Sequence, residues 1–423
     1  LRADFARYRS ERGALLEEHA TYEALHAHFA KDPHGPRGWQ GWPEAYRDPQ
    51  SPAVAAFADE HAHEISFHAF LQWLTERSLT AAQDAARGAG MRIGLIADLA
   101  VGMDAGGSHA WSRPDDILQG VSIGAPPDPL GPLGQDWGLT TFSPKALREH
   151  GFAPFIATLR AAMRTAGGVR IDHVMGLSRL WLVPWGMPSS EGVYLQYPLD
   201  DMLRIVALES HRHSAIVIGE DLGTVPDGFR GRINQAGIAG MRVLLFEREH
   251  DGRFRAPQHW DANAVAMTTT HDLPTISGWW QGNDIAWRDR LGQLPSTEDA
   301  GIQMAERHYD RLRFWESASD YGLTREPIPD IAHPDAVIDV ALNYVAMSAS
   351  DLAIAPAEDI AGMHEQPNLP GTIDGHPNWR RRLPEEPATG LVARGRLARL
   401  AEARPRPAIQ RDEPSMGREE EPQ

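Results

Sequence analysis

The stretch GVRIDHVMG, residues 168–176, decides how this chain is read. A short apolar strand ends there in Arg170, Asp172 and His173. The pattern recurs twice downstream. AIVIGEDLG (215–223) ends in Glu220 and Asp221, and AVAMTTTHDLP (264–274) ends in His271 and Asp272. Three apolar strands thus deliver carboxylates at their C-terminal ends, about 50 residues apart. A parallel barrel presents its chemistry on that face.

Further strands lie outward from this centre. MRIGLIADLAV (91–101) is a continuous apolar run with Asp98 near its end. Such a run fits a strand buried on both faces. MRVLLFE (241–247) and LAIAPAEDI (352–360) read as two more. Helical segments near 144–166 and 198–213 separate strands, a pattern that means α/β with a parallel sheet. The expected fold is a (β/α)8 TIM barrel with inserted helical and loop subdomains. Six strands are legible where eight are needed. None precedes residue 91 and the first residue is Leu. The expectation is therefore a barrel lacking its first two strands, with an open six-stranded sheet as the alternative.

Residues 1–88 read as a mainly helical subdomain. Phe5, Leu15, Leu16, Tyr22 and Leu25 anchor a first helix over 1–30, and 31–52 form a loop. A long helix over 62–88 is expected to bury Phe67, Phe70, Leu71, Leu74 and Leu79. Residues 89–402 form the barrel portion, with inserted loops at 102–146 and 275–345. The Pro-rich, charged segment 403–423 reads as a disordered tail.

Composition narrows the class. A formal net charge of -17 argues against nucleic acid and anionic membrane as partners. There are no cysteines, which excludes disulfides and thiolate chemistry and mildly favours a cytoplasmic protein. No apolar run approaches a membrane span. The 13 Trp, 32 Pro and 39 Gly fit large loops and aromatic surfaces.

Residues i and i+2 of a strand share a face, so Arg170 and Asp172 point the same way. A guanidinium beside a carboxylate keeps it ionised and oriented, as a nucleophile requires. Glu220 ends the apolar run Ile216-Val217-Ile218-Gly219, which should raise its pKa and suit a general acid. Asp272 could stabilise positive charge at an anomeric carbon. Paired carboxylates of this kind are what glycosidic-bond chemistry uses. Plainer readings stand beside these. Asp221 reads as a helix cap or an orienting residue. His173 and His271 read as structural histidines, or as ligands of a metal hydrolase that a chelator would silence. Trp137, in QDWGL, reads as a sugar-stacking ring or a loop anchor.

GVRIDHVMG, GEDLGTVP and TTTHDLPTISGWW together resemble the core signatures of the amylomaltases, the 4-α-glucanotransferases of glycoside hydrolase family 77. GVYLQYPLDDMLRIVALESHR (192–212), LGQDWGL (133–139) and EQPNLPGTIDGHPNWRRRL (365–383) extend the resemblance. IADLAVGMDAGGSHAW (96–111) is similar to the long bacterial, maltodextrin-metabolising branch. The resemblance implies a retaining transfer of α-1,4-glucan segments through a covalent glucosyl-enzyme, without a cofactor or metal. It implies Asp172 as nucleophile, Glu220 as acid/base and Asp272 as transition-state stabiliser. Arg170, His271, Trp137, Asp128, Asp98, Asn368 and Phe246 would contact substrate. An α-amylase-like hydrolase and a non-catalytic glucan-binding fragment are the alternatives.

Overall fold

The computed structural model describes all residues except 33, 34, 37, 128–132, 295–298, 385–389 and 405–423. The expected tail thus falls almost wholly outside the described residues. The chain forms two compact units, residues 1–241 and 242–423.

The first unit opens with helices Arg2–Phe29, Pro52–Glu60 and Ala62–Gly88. The Ser51 hydroxyl caps the second by accepting the Val54 N–H. These helices enclose a core of Leu16, Ala20, Leu25, Trp42, Phe57 and Ala69. The long helix packs in a different phase from the expected one. Its buried residues are Ile65, Ala69, Trp73 and Gln83, while Phe67, Phe70, Leu71, Leu74 and Leu79 are exposed. Successive residues stand about 100° apart on a helix. The stripe at 65, 69 and 73 faces the first helix, where Trp73 meets Phe5 at 5.8 Å. Leu15 is likewise exposed while its neighbour Leu16 is buried.

Nine strands follow among the described residues, the last ending just past residue 241: β1 (Ile96–Leu99), β2 (Met103–Asp104), β3 (Val121–Ala125), β4 (Gln135–Thr140), β5 (Gly168–Ile171), β6 (Arg179–Pro184), β7 (Val193–Gln196), β8 (Ile216–Gly219) and β9 (Ala239–Val243). β1, β5, β8 and β9 are parallel neighbours in that order. Helices Leu199–His213 and Phe229–Gln235 connect β5 to β8 and β8 to β9. Val169, Ile171, Val217, Leu159, Met163, Val206 and Ile233 fill the layer between strands and helices. The helix expected over 144–166 is two, Pro144–Glu149 and Ala153–Met163, broken at Gly151 and Phe152, both at positive φ.

The remaining strands form a second, antiparallel sheet in the order β2-β4-β3-β6-β7. The segment 102–146, expected as a loop, supplies three of them. Its glycines mark irregular strand pairing as well as turns. At Gly124 the β3–β4 register shifts, and a Cβ there would meet the Gln135 carbonyl oxygen at 2.0 Å.

In the second unit β10 (Ala264–Met267) and β11 (Leu352–Ile354) pair in parallel. Helices Ile276–Gln281, Asn283–Arg290, Ala300–Asp320 and Asp335–Ala346 lie between them in sequence. The core is aromatic, built on Phe254, Trp260, Trp279, Trp280, Phe314 and Tyr344. Buried Arg396 ties helix Leu391–Ala403 to Asp335 and Asp339 at 2.8 and 2.9 Å.

Candidate active site

In the first unit the hydrogen-bond ladder runs past the strand ends and sets the carboxylates side by side. The Asp172 N–H donates to the Leu99 carbonyl, and the Glu220 N–H donates to the Ile171 carbonyl, each at 2.9 Å. Asp98 and Arg170 are register partners on β1 and β5. One guanidinium serves two carboxylates: Arg170 reaches Asp98 at 2.6 Å and Asp172 at 2.9 Å. Burial works against the charge on Arg170. The hydrogen bond to Asp98 and the charges of Asp172, Asp98 and Glu220 override it, and its pKa is raised.

Glu220 is held from both sides. Its two carboxyl oxygens accept the His173 N–H at 2.8 Å and the Leu222 N–H at 2.7 Å. Burial pushes its pKa up to about 7, with help from the negative charge of Asp172, against the pull of those N–H groups and Arg170. It can therefore carry a proton near neutral pH, while remaining within electrostatic reach of Asp172.

His173 follows Asp172 with φ 45, a left-handed backbone. Such residues cost on the order of 1–3 kcal/mol and persist where their surroundings enforce them. Here the enforcement is the N–H donated to Glu220. Burial, aided by the charge of Arg179, pushes the imidazole down to about 4, so the ring is neutral. Its edge meets Trp137, with centroids 5.3 Å apart. Trp137 belongs to β4 rather than to a loop, and its indole N–H donates to Gln135 at 3.0 Å. Asp172 and His173 also wall a mainly apolar cavity of about 220 Å³, with Val101, Phe142, Leu180 and Tyr197.

Asp221 is fully buried. It accepts the Met241 N–H and the Arg230 guanidinium, each at 2.7 Å. It orients the end of β8 and caps no helix.

The second unit builds Asp272 on a braced turn. The strand stops at Met267 and three threonines secure the turn beyond it. Thr268 donates to buried Asp359 at 2.5 Å, Thr269 donates to the Pro274 carbonyl, and Thr270 accepts the Asp272 N–H. Asp359 also accepts the Ile276 N–H, and burial pushes its pKa up to about 6. Asp272 then faces Asn368, whose amide donates to it at 2.6 Å, and His271 at 3.2 Å. The Asn368 N–H donates to the His271 carbonyl. Distant segments are thus joined at the residues the sequence singled out. Phe246 ends a 3-10 turn, Leu244–Phe246, where the expected strand 241–247 has already stopped, and it is exposed. Asp128 lies outside the described residues. Sequence reasoning passed over Trp379, whose ring lies 5.2 Å from that of His271. Its signal was its place in HPNWRRRL.

Among the described residues no three His, Asp or Glu side chains are grouped to hold a metal ion, and no helix is long and apolar enough to cross a membrane.

The family model described as 4-alpha-glucanotransferase matches residues 1–388. A 4-alpha-glucanotransferase of Mycobacterium tuberculosis is 38% identical over 382 residues, covering 89% of this chain and 51% of that protein. One from Haemophilus influenzae is 36% identical over 377 residues, covering 87% and 52%. The chain spans about half the length of these relatives. An amylomaltase structure from Corynebacterium glutamicum matches with a TM-score of 0.81 and 31% identity, over 95% of this chain and 56% of that one. An amylomaltase from Streptococcus agalactiae, in complex with acarbose, shares the fold at a TM-score of 0.75 and 19% identity, over 95% and 73%. These matches and the parallel strand–helix order give an α/β, TIM-barrel-like fold. The chain belongs to the 4-alpha-glucanotransferase family, glycoside hydrolase family 77.

Proposed function

We propose that this chain carries the chemistry of a retaining 4-α-glucanotransferase, moving a segment of an α-1,4-glucan to the 4-hydroxyl of glucose or another maltodextrin. The observation that supports this best is the pairing of Asp172 with Glu220. One carboxylate is gripped by a guanidinium, and its neighbour is raised to about 7. That is the division of labour a double displacement needs. Asp172 attacks the anomeric carbon and Glu220 protonates the departing glycosidic oxygen. The leaving sugar departs, and an acceptor hydroxyl attacks the glucosyl-Asp172 ester while Glu220 takes its proton. The Asp172 carboxylate is released and the α-configuration restored. Asp272, held by His271 and Asn368, stabilises positive charge on the sugar ring. Arg170, Asp98, Trp137, Asp128 and Phe246 belong to the substrate-contacting set by the same reading. No cofactor enters this scheme, because carboxylates supply both nucleophile and proton.

The test is incubation of the purified chain with maltotriose and separation of the products. Glucose together with a ladder of longer maltodextrins supports transfer. Hydrolysis products alone would make it an amylase-like hydrolase. Unchanged maltotriose would refute a catalytic role for this chain.

A further inference from the structure

We propose that Trp379 is a stacking platform for a glucose unit beside Asp272, held ready by the Asn378 side chain. This rests on the glucan-transfer reading and adds to it a binding residue and its support.

Four observations converge on Trp379. First, Trp379 is 65% exposed, whereas Trp260, Trp279, Trp280 and Trp315 of the same unit fill its core. Second, it sits at φ 58, and only three other non-glycine residues described share a positive φ. A bulky side chain in that conformation is an outlier that its surroundings must enforce. Third, the enforcement is visible. The Trp379 N–H donates to the Pro367 carbonyl at 2.9 Å. Just before it, Asn378 accepts the Leu369 N–H at 3.0 Å and donates to the carbonyl and hydroxyl of Thr372 at 3.0 and 2.8 Å. The loop is tied from within, so the Trp379 backbone is fixed before any ligand arrives, and the ring packs on His271. Fourth, the ring leans on His271, which pairs with Asp272, which accepts from Asn368.

A pyranose is amphipathic in the way this corner is. Its C–H face packs on an aromatic plane, and its hydroxyl edge seeks carboxylate, amide and imidazole groups. An open indole beside Asp272, Asn368 and His271 offers both.

The test uses the Glu220→Gln chain, so that binding is read without turnover, and titrates maltoheptaose by calorimetry. Trp379→Ala in that background should weaken binding roughly three- to tenfold, and Trp379→Phe should recover most of the loss. In the otherwise unaltered chain, Trp379→Ala should raise KM more than it lowers kcat. Trp379→Gly should melt higher than Trp379→Ala, because glycine accepts the left-handed backbone, yet bind no better. Unchanged affinity in Trp379→Ala overturns the platform alone. Absence of maltoheptaose binding by the Glu220→Gln chain, with no transfer by the unaltered one, overturns the platform together with the glucan-transfer reading.

Discussion

Glu220 receives opposing instructions from its surroundings. Burial disfavours its charge, while two backbone N–H groups favour it, and burial wins. In the role proposed for it, Glu220 must carry its proton as a general acid, so the alkaline limb of kcat/KM for maltotriose should fall through about pH 7. A limb beginning only above about pH 9, two units beyond that value, would remove Glu220 from the acid's role. Glu220→Gln should lower turnover roughly 10²- to 10⁴-fold with the fold intact by circular dichroism. The same shift carries a stability consequence. Between the ordinary carboxyl value of 4.5 and about 7, the unfolded chain has released this proton and the folded chain keeps it, so this group's contribution falls as pH rises through that window. Asp221, one residue on, has a different task. Replacing it with Ala removes the carboxylate that accepts from the Met241 N–H and the Arg230 Nε–H, while Arg230 keeps its bond to the carbonyl of residue 221, and should cost about 2–4 kcal/mol in urea unfolding. A loss below about 0.5 kcal/mol, the range of an ordinary surface change, would make Asp221 dispensable to the fold.

At the scale of elements, the legible parts were those whose signal is local. β5 and β8 are short apolar runs closed by charged residues, β10 is an apolar run that three threonines separate from His271 and Asp272, and Arg170 and Asp172 share a strand face by simple alternation. The antiparallel sheet was not legible, because β3 finds one of its partners in β6, nearly 60 residues downstream, and its glycines look like loop. The grouping of Asp272 with Asn368 spans 96 residues and came only from family resemblance. Helix Ala62–Gly88 was placed correctly in extent and wrongly in phase. Size misleads there: the inward stripe includes small Ala69, while Phe67, Leu71 and Leu74 face out. The two phases predict different mutants. Trp73→Ala should cost about 3 kcal/mol, whereas Leu74→Gln should stay within about 0.5 kcal/mol. Equal losses in urea unfolding would return the helix to the phase its sequence first suggested.

For the whole molecule the decisive quantity is the net charge of -17. A field of that size steers charged ligands strongly and neutral ones hardly at all. Maltodextrins are neutral, and the charged groups proposed for catalysis, Asp172 with Arg170 and buried Glu220, act at contact distance where salt screens them little. The kcat/KM for maltotriose should therefore change less than about twofold between low and high salt, across the range where the Debye length shrinks from roughly 30 to 3 Å. A cationic substrate would be drawn in at low salt and an anionic one repelled, so either would give a steep slope of opposite sign. A flat response leaves binding to stacking and hydrogen bonds, in keeping with an exposed indole and a fixed amide. A slope of either sign would mean that the acidic surface takes part in substrate capture, which a neutral glucan cannot explain.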